Sequence, residues 1–331
     1  MKIGKLSNRD LERLVLSKIP FAPTQGEAGP SVGLDCAVMD MGDGFRLVLS
    51  SDPITAADAD AGRLAVHVSC NDIAASGVRP AGIMVVLVVP PNCEESRISA
   101  IVEQAAATAA SLGVRIAGGH TEVSDTVVRP MVTTTAFGWT RGNVVLASGA
   151  QAGDTICMTK TAGIEGTAIL ARDRRDILLF RIGADLLREA EALIEQVSVL
   201  REGVAAAALG VHAMHDATEG GILGAVWELC TASGQGCLVQ AGKIPVHPAT
   251  AAAARVYGID PLRLIASGSM ILATDRPDSL MAGLEKEGIS CTAIGTVEPG
   301  ACRILCPDGT AELLEPPAAD ELYKTTPTSY Y

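Results

Sequence analysis

Aromatic side chains are scarce. Four Phe, four Tyr and two Trp make up 3% of the 331 residues, while 48% are hydrophobic. Any core must therefore be built from Ala, Val, Leu and Ile, which suits closely packed layers of helix and sheet. Basic charge is also thin: 26 Lys and Arg face 38 Asp and Glu, for a net charge of −12. The richest basic spot, "RDRRD" at Arg172–Asp176, is short and interleaved with acids. This excludes the basic stripe of a nucleic-acid binder. Long apolar runs are missing too. The longest, "AGIMVVLVVPPN" from Ala81, is too short to span a bilayer, so no membrane role is expected. The opening "MKIGKLSNRDLERL" is charged and amphipathic, without the apolar stretch of a signal peptide, and a cytoplasmic protein is expected. The nine cysteines show no CxxC spacing and no zinc-type cluster with His. They read as small buried thiols in a reducing compartment. GxxxxGK[ST], GxSxG, HExxH and GxGxxG are all absent, so any nucleotide must be held by another architecture.

What is present is a regular alternation of strand-like and helix-like stretches with Gly-rich junctions. "SNRDLERLVLSKI" carries a capping Ser7 and helical apolar spacing. "DCAVMDMGDGFRLVLSSD" reads as two strands around a turn at "MGDG". "GRLAVHVSCNDIAASG" and "EESRISAIVEQAAATAASLG" read as helices, "AGIMVVLVVP" as a buried strand, and "VRIAGGHTEV" as a strand entering a loop. "RGNVVLASGAQAGD" breaks the pattern, which places a boundary near residue 150 between two α/β domains, 1–150 and 151–331. The Pro-rich tail "EPPAADELYKTTPTSYY" reads as an extended appendage.

Five stretches put an acid beside small residues at the end of an apolar segment. They are "GLDCAV" (Asp35), "SSDPIT" (Asp52), "SCNDIAASG" (Asn71, Asp72), "GGHTEV" (His120, Glu122) and "HDATEGG" (Asp216, Glu219). Magnesium takes hard oxygen ligands, commonly one or two carboxylates with substrate phosphates. Acids from several strand ends can converge on such an ion, and glycines let backbone N–H groups approach phosphate oxygens. Thr218–Gly221 would open a helix whose first N–H groups lack partners, a favourable place for an anion. Asp35, Asp52 and Asp216 fit turn or cap positions equally well. Asp72 does not: an acid amid "VSCNDIAA" needs a partner or a metal.

Together, "GLDCAVMD", "SSDPI", "CNDIAASGVRPAGIMVVLVVP", "AGGHTEV", "GDTICMTKTAGIEGTAILA" and "HDATEGGILGAVWEL" resemble, in order, the AIR synthase (PurM-like) superfamily. "NDIAASGVRP" and "TKTAGIEGTAILA" look most like its HypE-like, hydrogenase-maturation branch. The resemblance implies an α/β (α+β) fold of two domains. The N-terminal mixed sheets of two copies would pair into a barrel, and ATP would lie at the domain and subunit boundary. By the same resemblance, Asp35, Asp72 and Asp216 would hold Mg2+. Asp52 would sit by the terminal phosphates, and Asn71, Gly118, Gly119, Thr121, Thr218 and Gly220 would line the nucleotide. His120, Asp52 and Glu219 are the implied catalytic groups, with His120 facing the acceptor. The implied activity is ATP-dependent phosphorylation of an amide or carbonyl oxygen, in a homodimer served by a maturation or acyl- or carbamoyl-donating partner. A thiamine-monophosphate-kinase-like enzyme and a non-catalytic ATP-binding assembly factor are the alternatives. Where the HypE-like branch ends in a carbamoyl-carrying cysteine, this sequence ends "TTPTSYY" after a last cysteine at Cys306.

Overall fold

Alternation in "RLVLSSDPI" and "MVTTTAFGWT" sends every second side chain to the same face of a strand. In the protein, Val48, Ser50, Val132, Thr134 and Ala136 point inward, while Ser51, Pro53 and Trp139 point out. The structure, a computed structural model, describes residues 4–24, 26–55, 57, 59–317 and 319–325. Strands β1 (Ala37–Asp40), β2 (Arg46–Ile54), β3 (Pro80–Val89), β4 (Arg115–Val123) and β5 (Met131–Thr140) form one sheet in the order β1-β2-β5-β3-β4. All neighbours are antiparallel except β3 and β4, which run parallel. Helix α1 (Asn8–Leu14) is capped by the Ser7 side chain, which accepts from Asp10 N. Helices α2 (Ala61–Ala75) and α3 (Glu95–Leu112) lie on the inner face.

The second sheet has the order β12-β11-β8-β10-β6-β9-β7. Its strands are β6 (Thr155–Thr159), β7 (Ala213–Asp216), β8 (Gly236–Gln240), β9 (Met270–Thr274), β10 (Cys291–Glu298), β11 (Cys302–Leu305) and β12 (Ala311–Leu313). The helices of this half are α4 (Ile164–Asp173), α5 (Arg175–Ala192), α6 (Leu200–Ala208), α7 (Gly221–Ala232), α8 (Pro248–Tyr257) and α9 (Pro277–Lys286). Strands such as "TICMT" and "MILAT" are buried at nearly every position because both faces of this sheet are covered. Ile156 and Met158 face a cluster with α7, and Cys157 faces one with α6 and α9. The fold is thus mixed α/β with two sheets.

The two halves do not keep separate cores. Ile54, Leu64, Leu87, Ile101 and Val132 pack in one cluster with Ile164, Leu170, Leu178, Leu187, Leu193 and Leu264. The tail is not an extended appendage. Leu322 enters the core shared by the two halves, Asp320 is buried, and a 3-10 turn spans Glu321–Thr325. An apolar side chain every few residues gives the tail surface to bury, which overrides its proline content. Residues 326–331, including "PTSYY", lie outside the described residues. Among the described residues no helix is long and apolar enough to cross a membrane.

Candidate functional site

Between the halves lies a cleft of roughly 590 Å³. Asp52 reaches it from the inner face of β2, Asp72 from the last turn of α2, and Asp35 from the segment just before β1. The second half contributes Thr218 and Glu219 from the loop between β7 and α7. Ser50 Oγ hydrogen-bonds the Asp72 carboxylate and lies 3.1 Å from Asp52 Oδ2, so one hydroxyl bridges two acids. Behind Asp35 stand His215 and Asp216, at the end of β7. The ligand atoms of Asp35, His215 and Asp216 all lie within 4.8 Å of one another.

Charge is unbalanced here. Burial, then the charges of Asp52 and Asp216, push the Asp72 carboxyl well above its ordinary range. Burial, then Asp35, raise Asp216 to about 7. Burial also raises Asp35, although His215 pulls the other way. His215 is the counter-ion. Its Nδ1 is 2.6 Å from Asp35 and its Nε2 is 3.0 Å from Glu228 on α7. Burial would discharge the ring, but the two carboxylates outweigh it and hold it protonated. Lys5 is the second cation: burial would lower its pKa, and Glu228, Glu219, Asp52 and Asp35 raise it instead. Its Nζ donates to Thr218 Oγ1 at 3.3 Å, and its backbone N–H donates to Glu219 Oε2 at 3.3 Å. Tyr323, from the tail, donates its hydroxyl to Glu219 Oε1 at 3.0 Å.

Asp216 decides whether the residues fit a metal. It is 0% exposed, and neither carboxylate oxygen has a hydrogen-bond partner among the described residues. A bare buried carboxylate is costly unless a cation meets it. Its neighbours Asp35 and Asp72 supply further hard oxygens, the donor set that suits magnesium.

Several expected residues lie elsewhere. Asn71 is next to Asp72 in sequence but rotated about 100° from it around the helix axis. Its Nδ2 donates to Val197 O at 2.7 Å and its Oδ1 accepts from Val199 N at 2.9 Å, so it staples α2 to the segment before α6. "GGHTEV" is not a turn. Gly118, Gly119, His120 and Thr121 are mid-strand in β4, which is exposed along its whole length and does not line the cleft of this chain. Gly119 is required by its neighbour: a Cβ there would stand 1.8 Å from Val85 O on β3. His120 meets Glu122 at 3.1 Å. Gly220 has φ 87, and its N–H is taken by Asp320 Oδ2 at 2.7 Å, so the start of α7 already holds a carboxylate. The expectation that Thr218–Gly221 leaves free N–H groups is corrected by this contact.

The structure also adds Lys5, Glu165, His215 and Tyr323. His215 had a signal, since it stands beside Asp216 in "MHDATEGG". Lys5 and Tyr323 arrive from the two ends of the chain, with no periodic pattern to mark them.

Residues 33–140 match the N-terminal domain of AIR synthase related proteins, and residues 151–304 match the C-terminal domain. The carbamoyl dehydratase HypE of Azotobacter vinelandii is 31% identical over 268 residues, covering 76% of this chain and 75% of that protein. The structure of the hydrogenase maturation protein HypE in complex with ATP superposes with a TM-score of 0.66 at 22% identity, covering 97% of both chains. A HypE–HypF complex gives a TM-score of 0.68 at 24% identity, covering 86% of this chain and 93% of that one. With matched domains spanning most of its length and this arrangement of two sheets around an acidic cleft, the chain belongs to the AIR synthase related family.

Proposed function

We propose that the protein is an ATP- and magnesium-dependent enzyme that phosphorylates an amide- or carbonyl-type oxygen, in the manner of a carbamoyl dehydratase. The observation that carries this is Asp216, buried without a hydrogen-bond partner beside Asp35 and Asp72. These three would hold magnesium. When bound, the ion offsets their charge and that of the triphosphate. Asp52 and Lys5 flank the place where the terminal phosphate would lie, and Lys5 offers it a fixed positive charge. Transfer of this kind needs mainly positioning and neutralised charge. The acceptor oxygen attacks the γ-phosphorus and ADP leaves. With a carboxamide, the phosphorylated oxygen then departs as phosphate, two N–H protons are lost and a nitrile remains. Glu219, steadied by Tyr323 and the Lys5 N–H, is placed to take such a proton.

We further propose a homodimer. Met39, Met84 and Trp139 are exposed on the outer face of the first sheet, with the partly buried Leu49 and Phe137 in adjoining rows. An open apolar sheet face calls for a second layer. His120, across from Val86, lies on that face, and β4 borders it. Gly118, Gly119 and Thr121 would then reach the nucleotide only from the second copy. None of the cysteines among the described residues lines the cleft, so the group to be dehydrated would come on another segment or on a partner protein. Nine free cysteines suit the reducing cytoplasm.

Asp216→Asn tests the reading. Magnesium-dependent ATP turnover with a carboxamide acceptor should fall at least about 100-fold. The metal-free protein should melt higher than wild type, because a buried unpaired charge is gone. Wild-type turnover in the folded variant would overturn the assignment, and turnover with thiamine phosphate instead would move the enzyme to the small-molecule kinases.

A further inference from the structure

Away from the cleft, three cysteines meet inside the core of the second sheet. Cys230 comes from α7, Cys237 from β8 and Cys302 from β11. Strands β8 and β11 run parallel with Cys237 directly opposite Cys302, so both side chains leave the sheet on the same face. Helix α7 covers that face and brings Cys230 down onto the pair. The three Sγ atoms lie within 4.8 Å of one another. Cys230 and Cys237 are 0% exposed and Cys302 is 8% exposed. Scattered at 230, 237 and 302, they carry no metal-binding spacing, and only the sheet register and the helix above it bring them together.

Their surroundings are apolar. Val226, Leu229, Val239, Val297 and Leu314 belong to the same cluster. Among the described residues no further His, Cys, Asp or Glu completes the group. Small core positions in this cluster are filled by Ala217, Ala225, Ala266 and Ala273, so sulfur is not needed for space alone. A metal about 2.3 Å from each of three sulfurs requires them about 4.0 Å apart. The observed separations do not exceed 4.8 Å, close enough for one ion to meet all three sulfurs. Zinc favours four ligands, and these walls offer no fourth. Soft thiolate ligands select copper(I).

We propose that Cys230, Cys237 and Cys302 form a three-coordinate site for one soft, thiophilic cation of the copper(I) type, separate from the acidic cleft. Each sulfur that binds as a thiolate releases its proton to solvent. The ion ties α7 to β8 and β11. Because α7 also carries Glu228, the partner of His215, loading stiffens the helix that backs the cleft.

The test is a copper(I) titration of the full-length reduced protein under anaerobic conditions, against bathocuproine disulfonate as competitor. The wild type should retain one equivalent per chain, show an ultraviolet thiolate-to-copper absorption band and melt at a higher temperature when loaded. Cys302→Ser, at the least buried corner, should weaken binding by more than the roughly 10–100-fold that losing an outer hydrogen-bond partner typically costs a metal site. Cys157→Ala with Cys291→Ala removes the other adjacent thiol pair and should leave the equivalent in place. Far-ultraviolet circular dichroism establishes that each variant is folded. The proposal is overturned if the wild type yields all its copper to the competitor, if it retains zinc in preference, or if folded Cys302→Ser binds as the wild type does. None of these outcomes bears on ATP turnover, so the two readings stand or fall separately.

Discussion

Glu165 shows how one buried acid shapes the behaviour of the whole. It lies in the first turn of α4 with 3% exposure, and burial raises its carboxyl to about 7. An acid whose folded pKa exceeds its unfolded value of 4.5 favours the folded state below pH 4.5. That contribution is lost as pH rises through 7. Glu165→Gln should therefore be stabilising relative to wild type at pH 8, by up to about 3 kcal/mol, and neutral at pH 4. Urea unfolding at several pH values, without metal or nucleotide, checks this; a difference independent of pH would contradict it. The same scale explains what was legible. Asp72 stood out because an acid amid Val, Cys, Ile and Ala has no cheap bland role. Asn71 was less legible because adjacency in sequence is not adjacency on a helix: Asp72 lines the cleft, and Asn71 bonds the backbone of Val197 and Val199.

At the level of elements, the start of α7 depends on a residue a hundred positions downstream. Asp320 accepts from Gly220 N at 2.7 Å, Leu322 N at 2.8 Å and Ile265 N at 3.2 Å. Asp320→Ala leaves three N–H groups without that acceptor and should cost roughly 2–4 kcal/mol in denaturant unfolding. It should also lower ATP turnover, since the same loop carries Thr218 and Glu219. Unchanged stability would mean that water replaces the carboxylate. Strand β4 makes the complementary case. Paired glycines before a polar trio suggest a phosphate-binding turn, yet β3 approaches so closely that position 119 admits no side chain. Gly119→Ala should shift the edge strand and cost about 1–3 kcal/mol, seen as a lower melting temperature. The strands and helices were legible because period-2 and helical patterns are local. The tail was misread because its contacts are distant, and proline content says nothing of Leu322 or Asp320.

For the whole molecule, the proposed homodimer would close over the open outer face of the first sheet. Met84→Asp places a charge at its middle. If the proposed pairing holds, sedimentation should show a dimer for the wild type and a monomer for the variant. ATP turnover should fall with it, because in the proposed pair Gly118, Gly119 and Thr121 would reach a cleft only from the second copy. A monomeric variant with full turnover would place the entire nucleotide site within one chain. The mixed α/β class was readable from the alternating strand and helix patterns, but the core shared by the two halves was not, since no local pattern announces which distant Leu meets which. That core has a consequence during synthesis. Leu64, Leu87 and Ile101 leave the ribosome early, and their cover includes Leu322, near the end of the chain. Between residue 150 and Leu322 the ribosome needs roughly 10–35 s at ordinary elongation rates. For that interval the first half presents an unfinished apolar surface to the cell, and slower translation of the second half lengthens its reliance on chaperones.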